Sequence, residues 1–225
     1  MSDKETKEIL RDGQIRITNP FGPSIAWVKI PIPMIEKLNN YIDKIIEDEK
    51  KSSELNHGKN LAGNVTQEFR LESDFAEKIG WTDFLKNNVA TWILHSTQRK
   101  IKEFHLISSW VVRQFKGDYN PIHWHGGHIS GAGYLKVPKS FGGLIQKEKT
   151  YNNNGHIELI HGNRMFLSNS KLNIKPEVGN FYFFPNYMMH TVYPFAESNE
   201  ERRSISFNAW IDEDIYSSHG RKKDK

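Results

Sequence analysis

Apolar residues change their spacing near residue 103. Before it, Ile35, Leu38, Ile42, Ile45 and Ile46 recur at helical intervals behind Pro33, and charged residues fill the opposite face through Lys50. Proline suits the first turn of a helix, where a missing N–H leaves no bond unmade. The polar stretch Lys51 to Asn64 predicts a loop. Thr82 to Gln98 predicts a second helix, with Phe84, Leu85, Val89, Trp92 and Ile93 on one stripe, and Gln14–Thr18 and Ile25–Ile30 read as short strands ahead of the first helix.

Beyond residue 103 the chain breaks into short β-rich runs punctuated by Gly, Asn and Pro: 104–115, 121–125, 129–137, 143–147, 156–160, 164–168, 179–184, 190–194 and 202–210. Strands of this length and spacing predict a mainly β, α+β architecture, an antiparallel jelly roll with the two helices covering the outer face of one sheet. Residues 1–225 are expected to form a single domain, with a helix-rich support over 1–103, a β core over 104–212 and a basic tail over 213–225.

Composition narrows the chemistry. Ten histidines and no cysteine exclude disulfide scaffolds, thiolate metal sites and a thiol nucleophile, so a bound metal has to use imidazole and carboxylate. The net charge is +4, of which the last five residues, Arg221 to Lys225, contribute +3. A nearly neutral body with a basic end predicts a solvated terminus, not a nucleic-acid surface. No apolar run approaches the roughly 18 residues of a membrane span, and the first twenty residues lack the apolar core of a signal peptide. A cytoplasmic protein without membrane contact is expected.

The densest histidine cluster is His123-Trp124-His125-Gly126-Gly127-His128. On a strand, positions i and i+2 share a face about 6.6 Å apart, so His123 and His125 can converge on one metal while Ile122 and Trp124 face away. The alternative is two exposed histidines beside a glycine turn. A third imidazole is available at His190, where an aromatic strand, Phe181 to Phe184, turns at Pro185 toward the next strand.

The run Glu201 to Trp210 alternates. Arg202, Ser204, Ser206 and Asn208 share one face, and Ile205, Phe207 and Ala209 the other, with Arg203 at its end. A polar strand face in an aromatic-rich barrel is either turned to solvent or lines a wet cavity. If internal, Arg202 is a buried cation that needs an anion, and a bidentate contact with one carboxylate of a small dicarboxylate answers that need. Ser204 is placed to bond the same carboxylate.

His-x-His, then Ser130-Gly131-Ala132-Gly133-Tyr134-Leu135, then Phe184-Pro185 leading to His190, then Glu201-Arg202-x-Ser204-x-Ser206-Phe207-Asn208 together resemble the 2-oxoglutarate/Fe(II)-dependent dioxygenases over about residues 104–212. The resemblance implies a double-stranded β-helix with cupin-like topology and iron at its open end. It implies that His123 and His190 bind Fe(II), that Arg202 and Ser204 hold the distal carboxylate of 2-oxoglutarate, and that Tyr134 bonds the same carboxylate. O2 and an unidentified substrate, a small molecule or a protein side chain, are the other expected partners, and a homodimer is the default assembly.

One position departs from the family. The second residue of the pair is usually Asp or Glu, and here it is His125. Either His125 is a ligand of an all-histidine site, the favoured reading, or it lies beside the ion and water completes the sphere. Asp118 is expected to organise its own turn, Glu158 falls on a different strand, and His128 is placed to hydrogen-bond near the site. Trp124, Tyr119, Tyr187, Met188 and Met189 are candidates for an apolar rim or for core. Two other functions remain open: a cupin-type metal dioxygenase that does not use 2-oxoglutarate, and a non-catalytic jelly-roll module whose histidines hold zinc or nothing.

Overall fold

A seven-stranded and a four-stranded antiparallel sheet face each other, and helices cover the outer side of the larger one. The computed structural model describes residues 13–18, 22–58, 61–144, 146 and 148–217. In chain order the elements are β1 Ile15–Thr18, β2 Ile25–Lys29, α1 Ile32–Glu47, α2 Glu49–Leu55, β3 Gln67–Arg70, α3 Ser73–Lys78, α4 Trp81–Thr97, β4 Phe104–Gln114, β5 Asn120–His123, β6 Ile129–Lys136, β7 Ile157–Ile160, β8 Lys171–Ile174, β9 Asn180–Pro185, β10 Met189–Val192, β11 Arg202–Ile211 and α5 Glu213–Tyr216. The large sheet runs β1-β2-β9-β6-β11-β4-β3 and the small one β5-β10-β7-β8. This is the antiparallel jelly roll that the short strands beyond residue 103 predict and the double-stranded β-helix that the resemblance implies, with strands from the N-terminal third added at both edges of the large sheet.

Two apolar layers hold the molecule together. Ile35, Leu38, Ile42 and Ile45 of α1 and Leu85, Val89 and Trp92 of α4 pack on the outer face of the large sheet, against Val28, Val111, Phe181, Phe183, Ile205 and Phe207. The helical stripes of the sequence are the buried stripes of the structure. A second layer between the sheets contains Tyr134, Ile157, Leu159, Phe184, Met188 and Val192. Gly131 and Gly133 of β6 make the outer layer possible. A Cβ on Gly131 would stand 2.7 Å from the Phe207 ring, and one on Gly133 would stand 2.3 Å from the Phe181 ring. Bare backbone lets both rings lie flat on the strand.

Several expected elements are different. Residues 51–55, expected as the start of a loop, belong to α2, which starts where the Asp48 side chain accepts a bond from Lys51 N at 3.0 Å. No residue of α2 is buried, so no apolar stripe announces it. The expected strand at 143–147 is absent among its described residues. The run 164–168 is a loop tip: Met165 and Ser168 form an isolated bridge, Leu167 has φ 62°, and Phe166 and Leu167 are each 91% exposed. Apolar side chains there meet neither sheet, and the returning strand is β8, paired to β7 from Ile157↔Ile174 to Ile160↔Lys171. Residues 213–216, expected as tail, form α5; the basic residues 221–225 and His219 lie outside the described residues. Among the described residues no helix is long and apolar enough to cross a membrane.

Candidate metal centre

Three histidines meet between the sheets. Antiparallel pairing of β5 with β10 makes His123 and His190 direct register partners, so their side chains leave the small sheet on the same, inward face. Their ring centroids are 4.2 Å apart. The sequence reading put His125 on the same strand as His123, but β5 ends at His123. His125 leaves the ladder, gives its backbone N–H to Asn186 O at 3.0 Å, and returns its ring to within 5.0 Å of His123 and 4.9 Å of His190. One ring nitrogen from each histidine lies within 4.8 Å of the others. Trp124, between them, points away and is 66% exposed.

The rings are oriented and uncharged. His123 Nδ1 lies 2.7 Å from Pro121 O and His190 Nδ1 lies 2.9 Å from Met188 O. A carbonyl only accepts, so both Nδ1 atoms carry the proton and both Nε2 atoms present bare lone pairs. Burial, with help from the neighbouring imidazoles His123 and His125, pulls the His190 pKa down to about 3. Burial and His123 pull His125 down to about 4, and burial lowers His123 as well. Neutral imidazoles with inward lone pairs suit a divalent first-row cation. The 3.1 Å between the Nε2 atoms of His125 and His190 is also close to the separation of two adjacent ligands with bonds of about 2.1 Å.

At the other end of the same cavity is a buried cation with bonds to spare. Arg202, Ser204 and Ser206 face inward from β11, beside Trp110 and Val112 of β4, so the solvent-facing alternative for this strand is excluded. Arg202 is 2% exposed. Its Nη1 donates to Gln114 Oε1 and its guanidinium carbon sits 5.0 Å from the centre of the Tyr134 ring. Arg202 Nε and the Tyr134 hydroxyl are buried without a hydrogen-bond partner among the described residues. Burial raises the phenol, partly offset by the adjacent guanidinium, and lowers Arg202 itself. Ser204 is the register partner of Tyr134 on the neighbouring strand. Two orphaned donors beside a buried positive charge have the chemistry that a carboxylate would satisfy.

Other candidates are engaged elsewhere. Asp118 accepts from Thr66 N, Thr66 Oγ1 and Phe115 N at 2.8, 2.6 and 3.0 Å, which organises its turn as expected. Glu158 is held by Lys171 at 2.8 Å and by the Tyr193 hydroxyl at 3.1 Å. His128 lies outside the cluster, paired with Glu213 and stacked on Tyr216. Met188 is core, while Tyr119, Tyr187 and Met189 are exposed. Gln114 was not among the expected site residues. Its signal was the alternation of β4, which puts Trp110, Val112 and Gln114 on the face that Arg202 shares.

Comparison with known proteins agrees with this geometry. Residues 108–208 match the family model described as "Putative 2OG-Fe(II) oxygenase". Among solved structures, a prolyl-4-hydroxylase from Pseudomonas putida is similar at TM-score 0.55 and 12% identity, over 84% of this chain and 92% of that one. The viral collagen prolyl hydroxylase vCPH of Paramecium bursaria Chlorella virus-1, in complex with 2OG, is similar at TM-score 0.51 and 16% identity, over 82% and 94%. HygX from Streptomyces hygroscopicus, with nickel and 2-oxoglutarate bound, is similar at TM-score 0.54 and 9% identity, over 85% and 83%. At these identities the structures share the fold. No curated protein matches the chain. Over residues 108–208, then, the chain is similar to the 2-oxoglutarate/Fe(II)-dependent oxygenases, and the double-stranded β-helix and the histidine cluster agree with that likeness.

Proposed function

We propose that the chain binds Fe(II) through His123, His125 and His190, binds 2-oxoglutarate through Arg202, Tyr134 and Ser204, and hydroxylates a substrate that enters over the histidines. The observation that carries this reading is the orphaned Nε of Arg202, a residue that lines the same cavity as the three imidazoles, with the orphaned Tyr134 hydroxyl on the ring beside it. A dicarboxylate reaching from the guanidinium to the ion satisfies both ends at once. Iron with 2-oxoglutarate and O2 supplies the oxidising power for C–H hydroxylation, with succinate and CO2 released.

The chain's own residues bind, orient and exclude water. Met188 O and Pro121 O lock the tautomers of His190 and His123, so that two lone pairs point inward before any ion arrives. Gln114 fixes Arg202 Nη1 and leaves Nε for the ligand. The other end of the Gln114 amide is held by Asn120 of β5: Gln114 Nε2 donates to Asn120 Oδ1 at 2.8 Å, which ties the arginine to the strand that carries His123. Val112 and Trp110 add apolar surface to the lining of the cavity.

Succinate production and Fe(II) binding, measured for the wild type and for His190→Ala, test the reading. A wild type that binds neither iron nor 2-oxoglutarate sinks it. One observation favours a second reading: the cluster contains three histidines and no carboxylate, as suits a metal dioxygenase that binds its substrate directly and uses Arg202 to hold a substrate carboxylate. Iron binding with no 2-oxoglutarate-dependent change in the metal's absorption selects that alternative.

A further inference from the structure

We propose that Asn186 and the Tyr216 hydroxyl of α5 are positioning residues for the third histidine, so that the C-terminal helix sets the geometry of the metal centre. This rests on the reading of His125 as a ligand. His123 and His190 sit on paired strands and need no further support. His125 lies beyond the end of β5 in a bend through Gly126 and Gly127, the latter at φ 87°, and no ladder holds it.

Asn186 replaces the ladder. Its carbonyl accepts from His125 N at 3.0 Å, its side-chain Nδ2 donates to His125 O at 3.2 Å, and its backbone N–H donates to His128 O at 3.1 Å. One residue thereby fixes both ends of the bend, and both backbone groups of His125 are bonded to it. The amide has its own orienting contact. The Tyr216 hydroxyl donates to Asn186 Oδ1 at 3.0 Å, which leaves Nδ2 turned toward His125.

Tyr216 is itself anchored. Its ring stacks on His128 with centroids 3.8 Å apart and planes 13° apart, and His128 Nε2 lies 3.2 Å from Glu213 Oε2. The Asp212 carboxylate, at the start of α5, accepts from Lys102 N and Glu103 N at 2.8 and 3.0 Å. Asp214 pairs with Arg99. A continuous set of contacts therefore runs from the segment before β4 through α5, Tyr216 and Asn186 to the backbone of His125. The direction in which His125 presents its ring follows from that set.

The test is metal affinity of the full-length protein, measured without turnover. Co(II) or Fe(II) is titrated anaerobically in competition with a chromophoric chelator, and the visible absorption of the Co(II) form is recorded. Asn186→Asp removes the Nδ2 donor, whereas Tyr216→Phe removes only the hydroxyl and keeps the stack on His128. His125→Ala serves as reference. Asn186→Asp is expected to weaken metal binding about 10- to 100-fold, the usual range for a residue that orients a ligand. Tyr216→Phe is expected to weaken it several-fold and to alter the Co(II) spectrum, with the thermal midpoint of the metal-free protein unchanged. Tyr216→Phe remains decisive if Asn186→Asp fails to fold. Wild-type affinity and spectrum in Tyr216→Phe, with His125→Ala weakened, overturns the inference alone. Wild-type affinity in His125→Ala overturns the ligand reading of His125, and this inference with it.

Discussion

The Nε2 atoms of His125 and His190 face each other at 3.1 Å, and the proton on His190 is committed to Met188 O. The contact is therefore at best one hydrogen bond donated by His125, and it is two opposed lone pairs whenever the His125 proton sits on Nδ1. A divalent ion resolves this. Fe(II), Co(II) or Ni(II) is expected to raise the thermal midpoint, with a gain of about 2.7 kcal/mol at a free concentration one hundred times Kd. Chelator should reverse the gain and His190→Ala should abolish it, as scanning fluorimetry with and without metal will show.

Arg202 should behave in opposite ways toward binding and toward stability. A buried guanidinium with an orphaned Nε is a cost in the ligand-free protein and an asset once a carboxylate arrives. Arg202→Met is expected to raise the thermal midpoint of the ligand-free protein and to weaken 2-oxoglutarate binding by about 1.5–3 kcal/mol, the contribution of a hydrogen bond to a charged group. Calorimetric titration alongside melting curves checks both. A variant that loses stability and keeps its affinity would place the anion elsewhere.

Acid should loosen the large sheet at Arg203. This side chain is 1% exposed and meets Asp43 at 2.7 Å and Glu201 at 2.6 Å, while Arg113 reaches Glu201 at 2.9 Å. Burial alone would raise the Glu201 carboxyl, but bonds from Arg203 and Arg113 outweigh it and hold the pKa below the ordinary value. Arg203 and Lys136 do the same for Asp43. Carboxyls lowered by folding contribute stability above their unfolded pKa and lose it as pH falls through the folded one. The melting temperature is expected to drop below about pH 4.5, near the ordinary carboxyl value. Glu201→Gln should flatten that acid limb and cost about 3 kcal/mol at neutral pH, because it leaves a buried cation short of its partner.

Glu68 should give the reverse dependence. It is buried on β3, its Oε2 has no partner among the described residues, and burial pushes its pKa up to about 7. The folded state then holds the proton more tightly than the unfolded chain, so stability is full below pH 4.5 and falls as pH rises toward 7. Glu68→Gln is expected to leave the melting temperature at pH 5 nearly unchanged and to raise stability at pH 8 by about 3 kcal/mol. Equal effects at the two pH values would show that Glu68 has a cation beside it.

The parts of the molecule legible in the sequence are those where one side chain pattern serves one face. Ile35, Leu38, Ile42 and Ile45 declare α1, and the alternation of Arg202, Ser204 and Ser206 against Ile205 and Phe207 declares both the strand and its wet side. α2, with nothing to bury, stayed silent, and so did β3, whose buried Phe69 sits between Glu68 and Arg70 without a repeat. The run at Met165, Phe166 and Leu167 misled because apolar content does not say whether a partner surface exists. At the candidate metal centre, alternation brought His123 and His125 together for an incomplete reason. Period two orients His123, but His125 is turned inward by bonds to Asn186, 61 residues away in the chain, and such a contact has no signature in local sequence.

The position of β11 has a consequence for synthesis. It is the last strand in chain order, yet it lies inside the large sheet, between β6 and β4. A nascent chain that has not yet reached residue 202 therefore carries two facing, unpaired edges where the finished protein has a ladder on each side. Such edges invite pairing with other chains. The same strand brings Arg202 and Ser204, so the anion pocket and the closed sheet arrive in one late step. Interrupted synthesis should yield chains that associate, with no partly active product among them.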